Sequence, residues 1–362
     1  EERTLSVGGQ VVSVSKAMGK AEAEKLMSVL AKNSNIEFIE PDRIMKAAMT
    51  PNDSRYNEQW HYFETTGGMG LPAAWDLATG SGVVVAVLDT GITNHSELNA
   101  NVVAGYDFIS SSSIASDGNG RDSNPNDEGD FEGGYSSSWH GTHVAGTVAA
   151  VTNNNAGVAG VAFNAKIMPV RVLGTGGGTT SDIADAITWA SGGTVSGVPT
   201  NSNPAEVINL SLGGSGSCDT TTQNAINGAV SRGTVVVIAA GNSNSNVSAF
   251  TPANCNNVIS VASNDRQGNR ASYSNYGSLI DVTAPGGETA TTANGVLSTL
   301  NSGSTTPSTE SYAFYQGTSM AAPHVAGLVA LMQSKAVSTP ADVESILKST
   351  ARALPGTCSG GC

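Results

Sequence analysis

The sequence predicts an α/β protein: a doubly wound, mostly parallel sheet with helices on both faces, preceded by a small α+β domain. Three observations carry that expectation. Short apolar runs such as Val83–Leu88 and Val235–Ala240, rich in β-branched residues, read as strands buried on both faces, the pattern of a parallel sheet. From residue 80 onward such runs alternate with helical stretches, as βαβ units require. Residues 1–46 differ in character: seven acidic and seven basic residues cancel there, so the whole formal charge of −13 belongs to residues 47–362.

Taken in order, Val11–Ser15 reads as a short strand. Lys20–Lys32 reads as an amphipathic helix with Ala23, Leu26, Met27 and Leu30 on one face, and Ile36–Ile39 as a second strand. A β-α-β piece this small buries little apolar surface by itself and gains stability by docking on something larger. The aromatics of Asn52–Ala78 (Trp60, His61, Tyr62, Trp75) are expected in the core. Strand Val83–Leu88 comes next and delivers Asp89-Thr-Gly91 to its C-terminal end, where open α/β sheets place ligands and catalytic groups. Further on come strands Lys166–Leu173, Val207–Leu212, Val235–Ala240, Val258–Ala262 and Leu279–Val282. Helix Ser181–Ala190, capped by Ser181 or Asp182, and helix Thr220–Arg232 lie between them.

Between the first strand and a small-residue helix opening at His140 lies a polar insertion, Asp107–Gly134. Its seven carboxylates face only Arg121. Such a block reads as a solvated loop unless something orders it. Carboxylates on Gly/Asn-rich backbone suit Ca²⁺, and Asp122, Asp127 and Asp130 are the preferred ligands. The spacing is not that of an EF-hand.

Composition excludes several functions. A net −13 repels nucleic acid, and no run of 18 apolar residues exists to span a membrane as a helix. Four cysteines suit two disulfides and an oxidising compartment. By position they fall into Cys218 with Cys255 and Cys358 with Cys362, although three connectivities stay open. None has a histidine or basic neighbour that would make it a reactive thiolate.

Chemistry concentrates in three places. Gly317-Thr-Ser-Met-Ala-Ala-Pro-His-Val-Ala-Gly327 leads a small-residue approach into an apolar helix, with Pro323 placed in its first turn and Ser319 at the positive end of the dipole. His140-Gly-Thr-His143 opens another helix. His140 is free to swing outward, His143 is expected to be packed, and zinc is disfavoured because no third Cys or His ligand accompanies them. Asp89 ends a buried strand. The order Asp, His, Ser is one of three chain orders known for a Ser-His-Asp triad.

On those three motifs the chain resembles the subtilisin-like serine proteases (subtilases) over roughly residues 50–355. The resemblance implies a secreted bacterial endopeptidase that acts on proteins and peptides as a monomer. Asp89, His140 and Ser319 would be its triad. Asn242 would be an oxyanion donor at the end of a buried strand, and Ser211-Leu-Gly213 with Ala239-Ala-Gly241 would wall the primary specificity pocket. No acidic residue stands in those walls, so broad cleavage after apolar or aromatic residues is expected. Residues 1–48 would be a propeptide, incomplete at its front, that inhibits the catalytic domain of 49–362 and is cut within Lys46–Pro51. The chain opens Glu1-Glu-Arg without a signal peptide and stops at Cys362, and both ends read as cloning or processing boundaries. The loop Val151–Val158 resembles the one that wraps a tight calcium in the family, with Glu97 and Asn153 as ligands. There Glu97 stands where an Asp is usual.

Two rivals remain. An α/β-hydrolase esterase orders its triad Ser, Asp, His around Gly-x-Ser-x-Gly, whereas residue 321 is Ala. A catalytically silent binding module on a protease fold is the other, and an intact set of catalytic residues argues against it.

Overall fold

The computed structural model describes residues 3–42, 49–358 and 360. The chain divides into two compact units, Glu1–Ala47 and Ala48–Cys362.

In the first unit, Arg3–Thr4 and Gln10–Val11 pair antiparallel, and a helix spans Lys20–Leu30. No residue of that helix is buried, and Val7, Val12, Val14, Val29 and Phe38 are exposed. The expected strands are mostly absent: only Val11 of Val11–Ser15 is paired, and Ile36–Ile39 is irregular. Periodicity locates apolar residues there, but a strand needs a neighbour for its backbone groups, and so short a segment supplies none.

The second unit is built on seven parallel strands: β1 (Val84–Asp89), β2 (Tyr106–Asp107), β3 (Lys166–Arg171), β4 (Val207–Leu210), β5 (Val235–Ala239), β6 (Ile259–Asn264) and β7 (Val282–Pro285). Their order is β7-β6-β5-β4-β1-β3-β2. Alternate residues of β1 enter opposite cores: Val85 and Val87 pack on one side, Ala86 and Leu88 on the other. That alternation is why the run is apolar throughout. The first core is closed by α1 (His140–Ala149) and α4 (Thr318–Lys335), through Val144, Val148, Val325 and Val329. The second is closed by α2 (Thr180–Ala190) and α3 (Thr220–Ser231), through Ala184, Ile187, Ile226 and Ala229. Trp60, His61, Tyr62 and Trp75 are buried as expected.

Three differences from the sequence reading have physical causes. Helix α2 is capped by Thr179, whose side chain accepts from the Asp182 N–H, rather than by Ser181 or Asp182. The last strand lies at Val282–Pro285, because Leu279 is exposed and Ile280 closes a turn on Gly277. An antiparallel hairpin, Val296–Asn301 with Glu310–Tyr315, packs over α1 and is not among the expected elements. Gly146 permits that contact, since a Cβ there would fall 2.1 Å from Thr299 Oγ1.

Cys218 and Cys255 form a disulfide. The pairing expected of Cys358 with Cys362 lies outside the described residues because Cys362 does.

Candidate active site

Strand β1 ends by placing Asp89 fully buried behind the opening residue of α1. Asp89 Oδ1 lies 2.8 Å from His140 Nδ1 and also accepts the Thr90 N–H at 2.8 Å. A buried carboxylate needs such partners. The His140 side chain is about a fifth exposed (21%) and faces a cleft. Burial disfavours its charged form, but the Asp89 charge and hydrogen bond outweigh this, with help from Asp130 and Asp127. The ring is therefore held above its ordinary value. Trp139, just before the helix, adopts a left-handed φ of 50° and anchors its indole N–H on Gly303 O at 2.7 Å. That conformation is costly for a bulky residue, and it turns the chain so that His140 meets the cleft.

Helix α4 starts from Gly317, whose φ is 148°. Pro323 stands in its second turn, not its first. A proline there withholds the N–H that would bond the carbonyl four residues back, which is that of Ser319. Ser211 Oγ supplies the missing donor, reaching Ser319 O at 2.9 Å. The proline thus opens a carbonyl through which the strand end at Ser211 holds the turn bearing Ser319. Ser319 Oγ in turn donates to Ser211 O at 3.2 Å, and among the described residues it makes no hydrogen bond to His140. Hydroxyls at such sites are often aligned only once substrate arrives.

Asn242, exposed just past β5, accepts the Thr318 N–H at 2.8 Å and the Thr318 hydroxyl at 2.9 Å through Oδ1. With the oxygen fixed, the amide NH₂ must face outward. A Cβ placed on Gly317 would lie 3.5 Å from Asn242 Nδ2 and 3.6 Å from the Ser319 nitrogen. Two N–H donors therefore flank one small space, which glycine leaves open. The Ser319 N–H is also among the unpaired donors of the helix start.

The cleft, about 760 Å³, is lined by His140, Ser211, Leu212 and Gly213. Ala239, Ala240 and Gly241, expected as its other wall, are not among the residues lining it; Ala239 and Ala240 are buried, and Gly241 N–H ties to Thr318 Oγ1 at 3.0 Å, fixing the end of β5 to α4. Leu173, Gly174, Gly176, Gly177, Gly178 and Ile183, and the carboxylates Asp130, Glu132 and Asp219, also line it and were not expected from the sequence. The Gly-Thr-Gly-Gly-Gly stretch at 174–178 was the available signal. His143 is buried and neutral: burial pushes it down to about 3, and its ring stacks on Tyr315.

Asp122, Asp127 and Asp130 are not brought together. Asp122 closes on the amides of Asn119 and Asn124, Asp127 on Thr90 and Gly129, and Asp130 on Ser138. No group of three or more His, Cys, Asp or Glu side chains able to hold a metal occurs among the described residues. The insertion is ordered instead by ion pairs: Arg121 with Asp182 and Asp185, and buried Arg171 with Asp107 and Asp117. The other calcium expectation fits better. Glu97 is buried, and burial, with Asp53 and Glu310 nearby, raises its carboxyl above the usual range although Asn154 and Val158 donate to it. Asp53, overlooked in the sequence, accepts the Asn153 N–H at 3.0 Å, while its Oδ1 is buried with no hydrogen-bond partner among the described residues. Two buried carboxylates, one with an orphaned oxygen, beside an Asn-rich loop suit a hard cation.

The family model described as the subtilase family matches residues 80–360. The chain belongs to the subtilase family. It is 62% identical to an extracellular protease of Xanthomonas campestris over 99% of this chain and 63% of that protein. It is 46% identical to an extracellular basic protease of Dichelobacter nodosus, over 99% and 61%. The chain thus spans somewhat less than two thirds of those relatives. It is also similar to the solved structure of a protease from Pseudoalteromonas arctica, with 64% identity, a TM-score of 0.85, and 86% of this chain and 95% of that one covered. The seven-stranded parallel sheet of this subtilase is therefore a family feature. No helix among its described residues is long and apolar enough to cross a membrane.

Proposed function

We propose that this subtilase is a secreted endopeptidase that cuts proteins and peptides through an acyl-enzyme. The observation that carries the proposal is His140, held by buried Asp89 and opening on the cleft whose Ser211 ties to Ser319. Rotation about the Ser319 Cα–Cβ bond releases its hydroxyl from Ser211 O. His140 takes the proton as Ser319 attacks the peptide carbonyl, then gives it to the leaving amine. Asp89 keeps the ring in the tautomer with Nδ1–H and stabilises its cation. The tetrahedral oxygen enters the space between Asn242 Nδ2 and the Ser319 N–H.

Asn242→Ala is expected to lower kcat by about 10²–10³ with little change in KM. That range comes from the corresponding asparagine of subtilisin, itself a relative. An unchanged kcat in steady-state peptide assays would remove Asn242 from the reaction.

The exposed backbone at Gly213 and Gly214 lets a peptide lie extended against the cleft wall, with an apolar or aromatic side chain entering beside Ser211–Gly213. Residues 1–48 serve as an inhibitory propeptide removed by the enzyme itself, within Lys46–Pro51. Lys46–Ala48 lie outside the described residues. The mature enzyme acts as a monomer. Relatives named as extracellular proteases and the Cys218–Cys255 bridge support secretion.

Calcium is proposed as structural, held by Asp53, Glu97 and oxygens of the Asn153 loop, and it takes no part in the chemistry. With calcium at 100 times its Kd, binding stabilises the fold by about 2.7 kcal/mol. EDTA should therefore lower the Tm of the native enzyme and leave that of Glu97→Gln nearly unmoved. A native Tm indifferent to EDTA would rule the site out.

A further inference from the structure

Thr90 commits every polar group it has to the surroundings of the catalytic pair. Its N–H donates to Asp89 Oδ1, the oxygen that also holds His140. Its hydroxyl oxygen accepts the N–H of Gly141, the residue after His140, at 3.0 Å. Its carbonyl accepts from Arg171 Nε at 3.2 Å. The single hydroxyl proton goes to Asp127 Oδ2 at 2.6 Å. Thr90 and Asp127 are 3% and 1% exposed, so water does not compete for these bonds.

The direction of that last bond decides the rest. Burial raises the Asp127 carboxyl to about 7; ionised above that, in alkaline buffer, it only accepts, so the Thr90 proton must point at Asp127, and the hydroxyl lone pairs must then face elsewhere. One of them meets Gly141. Without an acceptor at Asp127 the hydroxyl could turn its proton toward the Gly141 N–H, setting donor against donor at the start of α1. Asp127 is itself fixed: Oδ1 accepts the Gly129 N–H at 2.9 Å, its own N–H donates to Ile92 O at 2.9 Å, and Ile92 N–H donates to Pro125 O at 3.1 Å. The acidic insertion is thereby stitched alongside Gly91-Ile92, directly after the catalytic strand. An asparagine at 127 would satisfy one of its two donors and confront the other with its NH₂.

We propose that Asp127 is a positioning residue: acting through Thr90, it sets the relative orientation of Asp89 and His140, and the acidic insertion exists in part to deliver it. The inference rests on the peptidase reading above and adds to it a supporting role for a loop outside the three family motifs.

The test is a double-mutant cycle on the full chain in alkaline buffer, reading kcat and KM on one peptide for the wild type, Asp127→Asn, Thr90→Val, the double variant and Thr90→Ser. Small misplacements of reacting groups cost up to about 100-fold, so each single substitution should lower kcat roughly tenfold or more while KM stays within about twofold. The double variant should be little worse than Thr90→Val alone, and Thr90→Ser, which keeps the hydroxyl, should recover most of the rate. Losses that multiply, or a wild-type kcat in Asp127→Asn, would overturn the proposal. If Asp127→Asn does not fold, the comparison of Thr90→Val with Thr90→Ser decides, and equal rates overturn it. Wild-type protein that neither hydrolyses peptide nor takes up a serine-directed fluorophosphonate would instead sink the peptidase reading itself.

Discussion

Ser319→Ala is expected to abolish peptide hydrolysis, with kcat falling on the order of 10⁶-fold, the loss recorded when a triad member is removed from subtilisin, a relative. The residue is half-exposed at the second position of α4, and its backbone is held independently of its hydroxyl by the Ser211 bond to its carbonyl. Removing Oγ therefore leaves the fold and the Ser319 N–H donor in place. Residual hydrolysis over water should persist at about 10³–10⁴, from the oxyanion donors and binding alone. The same variant should stay uncut between its two units. Steady-state kinetics and intact mass on purified protein check both statements, and normal processing of the variant would reject self-cleavage.

Asp89→Asn should cost about 10⁴ in kcat near neutral pH, the size found for the equivalent change in a protease of another fold. An amide can offer its NH₂ to His140 Nδ1, and the ring then carries its proton on the wrong nitrogen. A second consequence concerns pH. In the native enzyme the Asp89 charge and hydrogen bond hold His140 above its ordinary value against the effect of burial. With the neutral ring as the proposed base, activity should fall as pH drops through that raised pKa. Without the Asp89 charge the pKa falls, and the acid limb of kcat/KM should move to lower pH. A limb that stays in place would show that another group sets it.

Much of the site was legible in the sequence because its members sit at ends of elements that periodicity locates well. Val83–Leu88 announces a buried strand, so Asp89 had to emerge at its C-terminal edge. Gly241-Asn242 comes after Val235–Ala240 for the same reason. What stayed hidden depends on partners far away in the chain. Pro323 reads as a first-turn proline; only the structure shows Ser211 supplying the donor that a proline in the second turn removes. The acidic insertion reads as a calcium loop because charge density is visible and the direction of a carboxylate is not. Asp107 and Asp117 turn onto Arg171, and Asp127 turns onto Thr90. Asp53, with no acidic neighbour in sequence, gives no signal until Asn153 and Glu97 come beside it. The first unit shows the opposite limit, where apolar periodicity at Ile36–Ile39 does not become a strand for want of a pairing edge.

In the proposed mechanism one hydroxyl among the chain's many serines is activated by a distant histidine. Reacting the processed enzyme with a fluorophosphonate and mapping the adduct by peptide mass spectrometry tests this most directly. The expected result is a single stoichiometric adduct on Ser319, formed fast in the native enzyme, far more slowly in Asp89→Asn and not at all in Ser319→Ala. Robust peptide hydrolysis by a protein carrying no adduct on Ser319, or carrying it on another residue, would contradict that assignment.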